Sequence, residues 1–266
     1  MPLDDAWAHL VDDAAIFPPG DAPLHDATAA YGARTEEEGS ELVGTFVLRD
    51  TDLPLVRGFG GPLSVVVTGG AGQLAGPVGL CAKLGLNLAG LEIAVRDLDD
   101  PGGNIQRVVA ALREVETEVP VHVELPPTPA EGGWLAAADT VAEAGLRLKF
   151  RTGGLEASAF PTAEVLAGWI DAALDRETAF KCTAGPHNAV RHTGEDGFEH
   201  HGFLNVLLAT RRAFDGAAAD EVVAVLEDRD LTVTTDDVAP GRRWFTSFGS
   251  CSVAEPLADL RALGLV

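Results

Sequence analysis

The sequence predicts an α/β fold, a single-domain (β/α)8 barrel of the TIM type, and three observations carry that prediction. Short β-rich runs alternate along the chain with longer helical patterns, the signature of parallel strands joined by helices. The length, 266 residues, matches one closed barrel. Several runs end in Pro or Gly pairs (Pro18-Pro19, Gly69-Gly70, Pro126-Pro127, Gly153-Gly154, Gly185-Pro186), as strand-to-helix loops commonly do. An open doubly wound sheet is the competing arrangement, because closure leaves no direct mark in a sequence.

The first strand is expected over Asp13 to Phe17, where DAAIF runs into Pro18-Pro19. Gly44 to Arg49 and Leu63 to Thr68 follow, then Leu91 to Arg96 and Val119 to Leu125, each rich in Val, Ile or Leu. Leu146 to Arg151, Ala179 to Thr183 and Trp244 to Ser247 complete eight. Between them helices are expected over Ile105 to Glu116, Trp134 to Ala144, Thr162 to Leu174 and Phe203 to Phe214. Thr162 is a natural cap, with Val165, Leu166, Trp169 and Ile170 as the apolar stripe behind it. The stretch from Pro186 to Arg243 is long for one barrel unit and holds a candidate extra strand at Leu231 to Thr235. Long barrel loops tend to carry function or a lid.

Composition narrows the function classes. With 41 acidic against 19 basic residues the formal charge is −22, which repels phosphate backbones and anionic lipid. Nucleic acid and membrane surfaces are therefore not expected as partners; a small-molecule substrate is, and a homo-oligomer is left open. The acidic N-terminus MPLDDAWAHLVDD does not read as a signal peptide, and no apolar run approaches a membrane span, so a cytoplasmic protein is expected. Cys81, Cys182 and Cys251 show no CxxC spacing and imply neither a disulfide framework nor a zinc knuckle. All but three of the 19 basic residues are arginine, the exceptions being Lys83, Lys149 and Lys181. Lysine, unlike arginine, can lose its proton inside a protein.

Strand side chains alternate between faces, so each strand yields an inward set. That set is Thr45 and Arg49, Glu92 and Arg96, His122 and Glu124, then Arg147, Lys149 and Arg151, and finally Lys181 and Thr183. Five strands thus aim charge at one enclosed volume near the strand ends where barrel enzymes build their sites. The bland alternative is that these charges merely pair, Glu92 with Arg96 or Glu124 with Arg147. If their strands are adjacent, Lys149 and Lys181 stand about 5 Å apart. Like charge and partial burial would then lower one lysine below the usual value of about 10.4. A neutral lysine attacks carbonyl carbon and forms a Schiff base.

The segment KFRTGG around Lys149 resembles the K-x-x-T-G motif of the deoxyribose-phosphate aldolase family. KCTAG at Lys181, followed by Arg191, is similar to that family's K-A-S-G-G-I-R segment, and the two lysines are spaced much as the family spaces its own. DDAAIFPP, LEIAV and TSFGS are fainter echoes of its first, fourth and last strands. The resemblance implies Lys149 as the Schiff-base lysine and Lys181 as the neighbour that lowers its pKa. It also implies backbone amides near Gly153, Gly185 and Gly249 to Ser250 as holders of a phosphate, with Thr152 and Ser247 in the same segments. Where the family's fourth strand reads E-[IV]-D, this chain reads Glu92-Ile93-Ala94, so Glu124 or His122 would take the place of the relay Asp.

The segment after the seventh strand, AGPHNAVRHTGEDGFEHHGF, holds His187, His192, His200 and His201 beside Glu195, Asp196 and Glu199. No tight metal motif is present, and His187 and His192 are the better candidates for acid–base work. TGGAGQLAG and FGGP lack the order of a dinucleotide fingerprint, and no cofactor or metal is expected. The expected function is a lysine-dependent, aldolase-like lyase acting on a small carbonyl compound, with or without a phosphate. Lys149 is its nucleophile, Lys181 the electrostatic partner, Glu124, Glu92, His122 and His187 the proton carriers, and Arg49, Arg96 and Arg151 the anion anchors. The alternatives are a metal-dependent hydrolase or isomerase built on the histidine loop, or a ligand-binding barrel without chemistry.

Overall fold

A computed structural model describes residues 3–34, 37–115 and 117–266. Eight parallel strands close into a barrel: β1 (Val11–Asp13), β2 (Val43–Arg49), β3 (Pro62–Val67), β4 (Asn87–Ala94), β5 (Val121–Glu124), β6 (Arg147–Arg151), β7 (Phe180–Thr183) and, beyond an antiparallel hairpin of β8 (His192–Thr193) and β9 (Glu199–His200), β10 (Phe245–Ser250). Each barrel strand pairs with the next, and β10 returns to β1 with Val11 opposite Phe248, so the ring has no open edge. The chain is a (β/α)8 barrel, and the open-sheet alternative is excluded.

Helices α1 (Leu24–Arg34), α2 (Ala75–Leu84), α3 (Pro101–Arg113), α4 (Gly132–Glu143) and α5 (Ala163–Asp175) occupy the crossovers before β7. From β2 to β3 the crossover is a 3-10 turn, Asp50–Leu55, that contains Pro54, a residue with no N–H for an α-helical ladder. The long segment after β7 carries the hairpin and then α6 (Phe203–Phe214), α7 (Ala219–Glu227) and α8 (Thr235–Val238), and α9 (Ala254–Ala262) follows β10. Local chemistry sets the helix starts. Asp100 accepts from the Gly103 N–H with Pro101 at the first position of α3, and Thr162 accepts from the Val165 N–H of α5.

Alternation along β6 and β7 decides what the barrel holds. Phe150 and Phe180 point out to the helices with ring centroids 4.7 Å apart, and Phe245 of β10 stacks on Phe180 at 5.4 Å. Trp169 of α5 packs on Phe150 at 5.4 Å. Each buried ring contributes about 1.5–3 kcal/mol, and turning it outward turns its strand neighbour inward.

Four sequence expectations are corrected. The first strand is Val11–Asp13, not Asp13 to Phe17: the Asp13 side chain accepts from the Ala15 N–H and Phe17 N–H donates to Ala14, which makes a turn of the apolar run. Leu231 to Thr235 forms no strand, because Thr234 bonds the Asp237 carboxylate and opens α8 instead. Arg96 does not face the interior, since β4 ends at Ala94 and Arg96 is exposed. The third helix begins at Pro101 and ends at Arg113; Glu116 lies outside the described residues.

Candidate active site

Lys149 and Lys181 are direct cross-strand partners on β6 and β7. Both are buried, at 5% and 2% exposure. A chain of opposite charges runs through them. Lys181 Nζ lies 2.6 Å from Asp12 Oδ2 of β1 and 2.7 Å from Glu92 Oε1 of β4. The other oxygen of Glu92 lies 2.8 Å from Lys149 Nζ, and Glu124 Oε2 of β5 lies 3.0 Å from that same ammonium. Arg151 Nε closes the series on Glu124 Oε1 at 2.7 Å. Three carboxylates alternate with three cations, so the network is neutral as a whole.

Hydroxyls saturate the carboxylates further. Ser64 donates to Glu92 at 2.7 Å, while Thr45 and Ser247 donate to Asp12 at 2.7 Å each. Every strand of the barrel therefore delivers at least one group to this network, and β6 delivers two, Lys149 and Arg151. Glu92 pairs with the two lysines rather than with Arg96, and Glu124 with Lys149 and Arg151 rather than with Arg147. Asp12 and Ser64 were not among the residues expected from sequence. Placing the first strand two residues late hid Asp12, although an acid directly after Leu10-Val11 was the signal; Ser64 stood as the one polar residue in LSVVV.

Burial alone would push both lysines down, but the carboxylates outweigh it. Glu92 and Glu124 hold Lys149 above its ordinary value, and Asp12 and Glu92 do the same for Lys181. The expected depression of Lys149 is thus overturned, because Glu92 lies between the two ammonium groups and answers the repulsion. Burial pushes the three acids up, yet the neighbouring cations win: Asp12 and Glu124 are lowered, and Glu92 well lowered. His122, opposite Glu92 and Arg147 in register, is driven by burial to about 3 and is neutral; among the described residues neither of its ring nitrogens has a hydrogen-bond partner.

The charged chain ends towards solvent at Glu124 and Arg151. Glu124 is 12% exposed and Arg151 37%, both at the C-terminal ends of their strands. Above them the two following loops interlock. A Cβ on Gly153 would meet the Ala184 carbonyl oxygen at 2.0 Å, and one on Gly185 would meet Thr152 Oγ1 at 2.0 Å. Ala184 itself sits in the left-handed region at φ 54°, a strained place for a residue with a side chain. The buried Thr152 donates its N–H to the carbonyl oxygen of the half-buried Thr183 at 3.0 Å beside this contact, and a Cβ on Gly249 would lie 3.7 Å from Thr183 Oγ1.

The remaining candidates are dispersed. Arg49 stands over the Phe17 ring, 4.6 Å from its centroid, and beside Asp52 at 3.8 Å. Ser250 is buried and donates to the Ser252 carbonyl oxygen. His187 Nδ1 lies 3.6 Å from Cys251 Sγ and 3.8 Å from Glu255, and burial lowers the imidazole to about 4. His192 stacks on His200 across the small hairpin, and His200 holds Asp196. His201 is buried between Arg191 and the Pro161 carbonyl oxygen. Among the described residues no group of three or more His, Cys, Asp or Glu is arranged to hold a metal ion. No helix among them is long and apolar enough to cross a membrane.

Neither models of known protein families nor curated proteins give a match to this chain.

Proposed function

We propose that the protein is a lysine-dependent, aldolase-like lyase that forms a Schiff base between Lys149 and a small carbonyl compound. The observation that carries this reading is the position of Lys149: it shares Glu92 with Lys181 in the interior and Glu124 with Arg151 at the mouth. It is the lysine of the pair with a carboxylate next to solvent, and so with a proton acceptor where a substrate would enter. The resemblance of the two lysine segments to deoxyribose-phosphate aldolases supports the same assignment. Glu124 is the cross-strand partner of Ala94, the position at which that family carries its relay Asp.

The chemistry balances without a cofactor. At rest Lys149 is an ammonium. Even a lysine at its ordinary value needs about 5 kcal/mol to be neutral at pH 7, so deprotonation requires a local base. Glu124 takes one proton, the amine adds to the carbonyl carbon, and a second nitrogen proton passes to the carbonyl oxygen to give the carbinolamine. The proton held by Glu124 then returns to that hydroxyl, which leaves as water. Ammonium and carbonyl have become iminium and water, with charge conserved. Lys181, fixed by Asp12 and Glu92, remains charged beside the new iminium and favours electron withdrawal into it. A small-molecule substrate and a cytoplasmic setting, where three unpaired thiols stay reduced, fit this reading.

The raised proton affinity of Lys149 favours a second reading, a barrel that binds a ligand without reacting. One experiment decides between them. Borohydride trapping with a panel of aldehydes and ketones, mapped by peptide mass, should place the adduct on Lys149, and Lys149→Arg should abolish it. An adduct on Lys83, exposed on α2, or none with any carbonyl, would leave the binding barrel.

A further inference from the structure

We infer that Arg151 selects substrates with a carboxylate bonded directly to the reacting carbonyl, that is 2-oxo acids, and that its capture by that carboxylate frees Glu124 to take the Lys149 proton. This rests on the Schiff-base reading and assigns its substrate class. Arg151 and Lys149 stand two residues apart on the same face of β6, about 6.6 Å along the strand. Both grip one carboxylate, Arg151 through Oε1 of Glu124 and Lys149 through Oε2. The span between guanidinium and amine is therefore already bridged by a group of carboxylate size. A substrate carboxylate that replaces Glu124 on Arg151 brings the carbon bonded to it next to Lys149 Nζ. In a 2-oxo acid that carbon is the electrophile.

The guanidinium is equipped for the exchange. Of its five N–H donors, Nε is engaged by Glu124, and the Nη groups have no carboxylate partner among the described residues. It is also the exposed end of the network, so an entering anion meets Arg151 before it meets Lys149. Arg49 is less suited, being beside Asp52 and laid over Phe17, and Arg96 lies beyond the end of β4.

Glu124 faces Lys149 and Arg151 from β6, Ala94 and the deeper Glu92 from β4, and the neutral His122 on its own strand. Burial raises its carboxyl, and Lys149 and then Arg151 hold it down. With Arg151 turned to a substrate, Lys149 alone opposes burial, and Glu124 becomes a stronger base when a carbonyl has arrived. Proton transfer to Glu124 and its return to the departing water then follow as above, with no further reactant.

The test compares pyruvate with its neutral methyl ester by borohydride trapping in the wild type, Arg151→Met and Arg151→Lys. Comparison between proteins cancels the intrinsic reactivity of the two probes. The ratio of pyruvate to ester adduct on Lys149 should fall about ten-fold or more in Arg151→Met, the loss of one charge-assisted pair. Arg151→Lys, which keeps charge but not the fork, should fall between. A ratio equal in wild type and Arg151→Met overturns the role of Arg151 and leaves Lys149 as the nucleophile. Carboxyl-detected NMR with acetate as the anion gives a readout that needs no Schiff base: acetate should raise the Glu124 pKa in the wild type and not in Arg151→Met. That shift without any borohydride adduct overturns the Schiff base and keeps the anion latch. Adduct without the shift overturns the latch.

Discussion

Glu92 is the residue on which the interior depends, because its two oxygens serve two ammonium groups that would otherwise repel at cross-strand distance. Removing one partner from a buried ionic network leaves uncompensated charge and costs about 3–5 kcal/mol. Glu92→Gln should lose that much by urea denaturation at pH 7. It should also lower the proton affinity of both lysines, since the carboxylate that raises them is gone; nitrogen-15 titration of the Nζ resonances checks the sign. His122 behaves in the opposite way. Among the described residues neither nitrogen of this buried imidazole has a protein partner to offset its burial. His122→Leu should therefore keep or gain stability, by up to about 1 kcal/mol, and a loss greater than that would mean the ring is held by a bond.

At the scale of elements, β6 and β7 and the loops that follow them form the working part of the barrel. Their outward phenylalanines lock the strands against α5, and their inward lysines follow from the same alternation. The loops touch so closely that Gly153 cannot accept a side chain: a Cβ would press into backbone at 2.0 Å, where no rotamer change relieves it. Gly153→Ala should cost about 2 kcal/mol or more. The equivalent change at Gly133 in α4, which has nothing within 4 Å, should add about 0.5–1 kcal/mol through helix propensity. Melting temperatures of the two variants side by side measure the difference between a required and an incidental glycine.

At the scale of the molecule, the buried charges predict the pH dependence of stability. His187 and His201, near 4, and His122, near 3, have folded values below the unfolded value of about 6.5. Their contribution is present above about 6.5 and is lost as pH falls towards those values. Asp12, Glu92 and Glu124 are also lowered, so their contribution is present above the ordinary carboxylate range and disappears as pH falls through their folded values. Lys149 and Lys181 are raised; their contribution is complete below the unfolded lysine value of about 10.4 and is lost as pH rises through the folded ones. Unfolding free energy should thus hold level from about pH 7 to 8.5. Above that it should decline, because burial raises the thiols of Cys81, Cys182 and Cys251 and the unfolded chain loses those protons first. It should decline also in the histidine window and fall steeply below about 4. Urea titrations across pH 3 to 11 test this, and Glu92→Gln should flatten the steepest acid segment. A protein equally stable at pH 4 and 8 would mean that these groups are solvated.

The sequence by itself determined the α/β class and the order of parallel strands and helices, because eight apolar runs separated by helical patterns leave few ways to bury so much surface. Closure of the ring was decided by the tertiary structure. The sequence also determined which residues would meet, since a period of two carries Lys149, Lys181, Glu124, Glu92 and His122 to the inner face wherever the strand bounds are right. At the first strand those bounds were wrong. A carboxylate turn at Asp13 ends β1 early, and the decision lies in a side-chain bond to the Ala15 N–H that periodicity does not register. Arg96 missed for the same kind of reason, with β4 ending before it. Only the tertiary structure decided how the charges pair. Two lysines on neighbouring strands predict repulsion and a lowered pKa, but Asp12 and Glu92 arrive from strands remote in the chain and reverse the sign. Protonation inside a closed barrel follows from the nearest opposite charge in space, and that neighbour is assigned by the closure of the ring.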